Sequence, residues 1–122
     1  MARVSSISFL PQSLDLALYA GDGASIRITV KDQTTQEVVD VSGSQAAQIR
    51  VNRSDSDPLE TFDINDFDAV NGVLLLSLTA DQTTNLGSNF KGVWDLQWTP
   101  PGGQPMTLVQ GKITCTLDVT RS

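Results

Sequence analysis

Ser25-Ile26-Arg27-Ile28-Thr29-Val30-Lys31 alternates strictly between polar and apolar side chains. Successive side chains of a strand point to opposite faces. A period of two therefore describes a strand with Ile26, Ile28 and Val30 inside and Ser25, Arg27 and Thr29 in water. The pattern recurs along the chain. Ala47, Ile49 and Val51 alternate with Gln48, Arg50 and Asn52. Leu74, Leu76 and Leu78 share one face, as do Trp94, Leu96 and Trp98. Ile113, Cys115, Leu117 and Val119 form the longest run. A slip of one residue would turn each set outward, so the pattern fixes register as well as element type.

The segments between these runs carry turn chemistry. Gly21-Asp22-Gly23 precedes the first clear strand, and Ser42-Gly43-Ser44 separates a Val38-Val39 strand from the next. Asn71-Gly72 is a hairpin signal between Phe67–Val70 and Val73–Thr79. Pro100-Pro101-Gly102-Gly103 joins the last two long strands. Strand runs recur every ten or so residues, the spacing of a sandwich or barrel. One segment departs from the period. Thr79 can cap a helix that Gly87 ends, and Gln82 stands three residues after Thr79, as a capping box requires. The reading is one short helical turn near residues 80–86, pinned to the core by Leu86 and crossing between sheets.

The N-terminal residues divide at Pro11. Leu14, Leu16 and Leu18 alternate with Asp15 and Ala17 and read as the first strand. A proline inside an apolar run belongs to an edge strand or a crossing arm. Residues 1–10 are accordingly read as an N-terminal arm or edge strand, and residues 11–122 as a single domain. Residues 1–10 can pair within the domain's own sheet or add to a neighbour's; the preferred expectation is a neighbouring subunit, with Val4, Ile7, Phe9 and Leu10 as the assembly contacts.

Composition narrows the function. The chain has 122 residues, enough for one core without a disulfide or metal. Fourteen acidic and eight basic side chains give a net charge of -6. That balance argues against nucleic acid and against an anionic membrane. No apolar stretch is long enough to span a bilayer, and the N-terminus lacks the pattern of a signal peptide. Cys115 is the single cysteine and sits in an alternating run, so it reads as a core residue.

Histidine is absent, which removes Ser-His and Cys-His dyads and histidine-bound metals. No phosphate-binding glycine loop appears, and no cofactor is expected. Asp55, Asp57, Glu60, Asp63, Asp66 and Asp68 crowd one stretch, but their spacing does not fit a calcium hand. The twelfth position counted from Asp66 is Ser77, and from Asp63 it is Leu74. Trp94 and Trp98 could form a sugar-stacking platform on one side of a strand. Leu96 lies between them on that side, so buried aromatics are the simpler reading, with Trp98 partly exposed at the strand end.

The ordered segments of the C-terminal half carry a resemblance. They are Asn71-Gly72-Val73 with the leucines that follow, Leu78-Thr79-Ala80-Asp81-Gln82-Thr83, Gly92-Val93-Trp94-Asp95-Leu96-Gln97, Gly111-Lys112-Ile113-Thr114 and Asp118-Val119-Thr120-Arg121. Leu18-Tyr19-Ala20-Gly21-Asp22 and Gln48-Ile49-Arg50 extend it toward the N-terminus. Together they resemble small immunoglobulin-like virion proteins of tailed bacteriophages, including the N-terminal domain of baseplate upper proteins. The resemblance implies an all-β, immunoglobulin-like antiparallel β-sandwich of seven or eight strands. It also implies a non-catalytic adaptor in a phage tail tip or baseplate. Its partners would be other virion proteins and copies of itself in a symmetric assembly, and its location the virion. A capsid decoration protein or a carbohydrate-binding module are the alternatives.

Overall fold

The computed structural model describes residues 12–32 and 35–117. The arm contacts expected at Val4, Ile7, Phe9 and Leu10 lie outside the described residues, and so does the side chain of Leu117. Period-two sequence becomes strand at β1 (Gln12–Ser13), β2 (Leu16–Ala20), β3 (Ala24–Thr29), β4 (Ser44–Arg50) and β5 (Glu60–Thr61). It continues at β6 (Asp63–Asp68), β7 (Val73–Leu78), β8 (Asn89–Thr99) and β9 (Met106–Leu117). A 3-10 turn covers Ala69–Asn71, and helix α1 covers Ala80–Leu86.

The strands form two sheets. One has the order β1-β9-β8-β4-β5, with β2 also on β9, and the other has the order β3-β7-β6. Their inner faces supply one core that includes Ile28, Val30, Ile49, Leu74, Leu76, Leu78, Trp94, Leu96, Ile113 and Cys115. The protein is an all-β sandwich, and its strand order is that of immunoglobulin-like domains. Two features differ from the sequence reading. Nine strand segments are present among the described residues instead of seven or eight, two of them only two residues long. The sandwich is also not wholly antiparallel, because β1 and β2 both run parallel to β9. An alternating apolar run sets which face is buried, and it carries no information about strand direction.

The N-terminal strand is split at Leu14 and Asp15 by a change of hydrogen-bond partner. The Lys112 N–H donates to the Asp15 Oδ1 at 2.9 Å instead of to a backbone carbonyl. The Leu14 N–H donates to the Gln110 oxygen at 2.9 Å. The Leu14 carbonyl accepts the indole N–H of Trp94 at 2.8 Å. This close crossing requires Gly111, since a Cβ there would land on the Leu14 carbonyl.

The core has a corrected boundary. Val51 was expected inside and is 45% exposed. Strand β4 ends at Arg50, and the chain bends at Val51 into a turn closed by an Asn52 N–H to Asp55 Oδ2 bond of 3.1 Å. The alternation runs one residue past the strand that it marks. Ile26 and Leu86 are half-buried and pack against the core from its margin. Val38-Val39 forms no strand; Val38 makes one bridge to Lys31, and Val39 is buried. Asn71-Gly72 does not make a two-residue hairpin. The 3-10 turn ends at Gly72 in the left-handed region, where a side chain would strike the Val30 and Val39 carbonyls.

Helix α1 has the capping box that the sequence called for. The Gln82 N–H donates to Thr79 Oγ1 at 3.2 Å, and the Thr79 N–H donates to Gln82 Oε1 at 2.8 Å. Gln82 Nε2 also donates to the Thr61 carbonyl at 2.9 Å, tying the helix to β5. The fully buried Thr83 ties it to the β2–β3 turn. Its hydroxyl accepts the Gly21 N–H at 3.1 Å and reaches the Asp22 carbonyl at 2.9 Å. Thr83→Val keeps the shape and leaves the Gly21 N–H without its partner. It is expected to cost about 1–3 kcal/mol in urea unfolding. Wild-type stability in that variant would mean that the hydroxyl does not secure the helix.

Candidate functional site

The inward aromatics are closed to ligand. Trp94 and Trp98 are each 1% exposed. Trp98 donates its indole N–H to the Ser42 carbonyl at 2.9 Å. Phe62 packs on Trp94 with ring centroids 5.6 Å apart. The reading of Trp98 as a partly exposed strand-end aromatic is thereby corrected. Strand β8 continues to Thr99, so Trp98 lies beneath the sheet rather than at its rim. Cys115 is also fully buried, its thiol 3.5 Å from the Thr83 carbonyl, and burial pushes its pKa up. A raised pKa keeps the thiol protonated and unreactive.

The acidic stretch is dispersed by the hairpin that carries it. Asp55 closes the turn after β4, Glu60 Oε1 accepts from Gln82, and Asp68 Oδ1 accepts from Asn71. Among the described residues, no three acidic or cysteine side chains converge as metal ligands.

Two surfaces remain. The first is a cleft of about 180 Å³ on the outer face of the larger sheet, lined by Gln48, Arg50, Arg53, Val93, Trp94 and Asp95. Register builds it: Gln48 lies opposite Asp95, and Arg50 lies opposite Val93. Arg50 is held by a 3.0 Å bond from Nε to the Asp55 carbonyl and a 2.7 Å bond from Nη2 to Gln48 Oε1. Arg53 Nη1 donates to Gln110 Oε1 at 3.2 Å. Burial pushes the Asp95 pKa up, and the positive charges of Arg50 and Arg53 oppose that shift without cancelling it. The sequence reading missed this grouping. Its only trace was the outward position of Gln48, Arg50 and Asp95 in their alternating runs.

The cleft lining offers one carboxylate and two guanidiniums. Acid–base chemistry on a glycoside uses two carboxylates, and the lining contains one. The volume is below the ~300 Å³ at which small-molecule pockets begin.

The Asp95 shift has a sign that can be checked. A carboxyl whose folded pKa is raised binds its proton more tightly in the folded state, so ionising it lowers stability as pH rises through that window. Asp95→Asn is expected to be more stable than wild type at neutral pH and equal to it below about pH 3, where both side chains are neutral. Urea unfolding at the two pH values measures this. A variant less stable at neutral pH would mean that Arg50 and Arg53 outweigh burial.

The second surface is the edge of β3 that faces away from β7 and that no other described strand covers. Strand β7 is its one neighbour among the described residues. Val30 donates its N–H to Gly72 and accepts from the Val39 N–H, so its backbone groups face the β7 side. Backbone direction alternates along a strand, which turns the N–H and C=O of Ser25, Arg27 and Thr29 toward the open edge. The opposite edge, β6, is guarded by Asp63, Asp66 and Asp68 and by a bulge between Asn65 and Asp68. Strand β3 carries Arg27 as its one charge.

No family model and no curated protein matches the chain. Among solved structures it is similar to a 2,6-sialyltransferase of Photobacterium sp. JT-ISH-224, solved with CMP and lactose, at 7% identity and a TM-score of 0.36. The match covers 88% of this chain and 18% of that one. A likeness of this size carries no argument about function.

Proposed function

We propose that this chain is a non-catalytic structural protein of a tailed-bacteriophage particle, an adaptor in the tail tip or baseplate. The observation that carries the assembly half of this reading is the six-residue edge of β3, which no other strand among the described residues pairs beyond β7, on a small sandwich. Such an edge is a template for pairing with another chain. The phage half is supported by the ordered sequence resemblance, which spans both halves of the chain. In this reading Val4, Ile7, Phe9 and Leu10 contact a neighbouring subunit. Symmetric repetition turns such modest contacts into firm attachment.

Mass spectrometry of purified virions tests the proposal. The chain is expected at a copy number that matches a ring at the tail end, and cryo-electron microscopy would place it there. Density on the capsid lattice instead would make it a decoration protein. Absence from the particle would overturn the reading.

A further inference from the structure

We propose that the cleft over Asp95 binds two adjacent hydroxyls of a single sugar unit. This goes beyond the assembly reading above and does not rest on it.

The cleft holds one open acceptor and several open donors. Asp95 is half-buried on the outer face of β8. Among the described residues no donor is hydrogen-bonded to it, and Arg50 and Arg53 act on it through their charge alone. No fully buried side-chain oxygen among those residues lacks a partner, so the Asp95 oxygens reach open space. The cleft that Asp95 lines is that space. The groups around it are fixed by bonds that leave donors over. Arg50 uses Nε on the Asp55 carbonyl and Nη2 on Gln48 Oε1, and Arg53 uses Nη1 on Gln110. Gln48 Nε2, Arg50 Nη1 and Arg53 Nη2 have no hydrogen bond to a described residue.

That inventory selects the ligand. An anion can accept from the guanidiniums, but it cannot donate to Asp95 and is repelled by it. A cation can donate to Asp95, but it meets two arginines. A neutral group that both donates and accepts satisfies every partner, and a hydroxyl does both. Two adjacent hydroxyls can donate one hydrogen to each Asp95 oxygen and offer their lone pairs to the three donors. A carboxamide has one oxygen for those donors, and its two hydrogens diverge from one nitrogen. Adjacent hydroxyls held on a ring are the chemistry of a sugar. Val93, partly buried in the lining, can meet the C–H groups of that ring. The 180 Å³ has room for one unit, not for an enclosed oligosaccharide. Trp94 is 1% exposed and offers no stacking face, so the contact is shallow and weak. The fold itself gains nothing from the Asp95 charge, which burial disfavours. A group that costs stability and lacks its hydrogen bonds is what a binding site keeps.

Amide NMR titration of the full chain tests this. The probes are methyl glycosides of glucose, galactose, mannose and N-acetylglucosamine. Sodium acetate, methylammonium chloride and acetamide stand for the anion, the cation and the carboxamide. At least one glycoside is expected to shift the amides of Gln48, Arg50, Val93 and Asp95 saturably, with a Kd of about 1–10 mM. Asp95→Asn should stay folded and bind at least about tenfold more weakly, because it loses the charge and one of two acceptor oxygens. Arg53→Met keeps the stem, removes the donors and should weaken binding about three- to tenfold. No saturable shift at these amides with any glycoside overturns the proposal. So does an Asp95→Asn variant that binds like wild type, or acetate, methylammonium or acetamide binding as tightly as the best glycoside. A failed titration leaves the virion reading standing, and absence from virions leaves the sugar site standing.

Discussion

Leu76→Asp is expected to leave the chain unfolded at neutral pH. Leu76 has no solvent exposure and sits in the middle strand of the smaller sheet, between Ile26 of β3 and Ile64 of β6. It faces the other sheet across the core, so the carboxylate would have no water. Among the described residues, no buried side-chain nitrogen or oxygen lacks a hydrogen bond, which leaves no idle group to receive it. An isolated buried charge costs several kcal/mol, and the lost packing of a leucine adds about 2–5 kcal/mol. A domain of this size is stable by about 5–15 kcal/mol, so the sum consumes most or all of it. Leu75→Asp is the control. Leu75 lies on the outer face of the same strand, opposite Arg27, and is only partly buried, so its replacement is expected to cost much less than that of Leu76 and to leave the domain folded. Far-UV circular dichroism and an amide NMR spectrum separate the two variants. A folded Leu76→Asp would mean that the inner face of β7 is wrongly assigned.

The same alternation explains how far the sequence could be read. It marked β3, β4, β7, β8 and β9, because each buries one face and a period of two is the direct consequence. It marked α1 through Thr79 and Gln82, whose side chains act within one turn and so need no distant partner. It overran at Val51, since an apolar residue in phase says nothing about where backbone pairing stops. It was silent on the direction of β1 and β2 for a related reason: parallel and antiparallel neighbours bury the same face. The cleft stayed hidden because its members lie on different strands. Gln48 meets Asp95 only through the register of β4 on β8, and Arg53 reaches Gln110 across 57 residues of chain. The two tryptophans were recognised as core candidates. What their indole N–H groups hold could not be read, because Leu14 lies 80 residues from Trp94 and Ser42 lies 56 from Trp98.

That long-range bond from Trp94 makes Gly111 the second position of large effect. Gly111 is buried on β9 directly opposite Trp94 on β8, and the Leu14 carbonyl lies over it. Gly111→Ala is expected to destabilise the domain by about 3 kcal/mol or more. The added methyl lands on backbone, not on the end of a side chain, so no rotamer change relieves it. Overpacking a core position costs about 1–3 kcal/mol. Relief requires the N-terminal strand to move off β9, and that movement withdraws the Leu14 carbonyl from the Trp94 indole. A buried N–H left without its acceptor costs about 1–3 kcal/mol again. The same shift separates Asp15 from the Lys112 N–H and loosens the pairing of β2, so the loss should be shared by the whole N-terminal strand. Two readouts check this: the midpoint of urea unfolding, and hydrogen exchange of the amides between Leu16 and Ala20. Exchange should accelerate in the variant under conditions where β7 remains protected. A midpoint within about 0.5 kcal/mol of wild type, with those amides still slow, would mean that β1 and β2 are not held against β9 by this crossing.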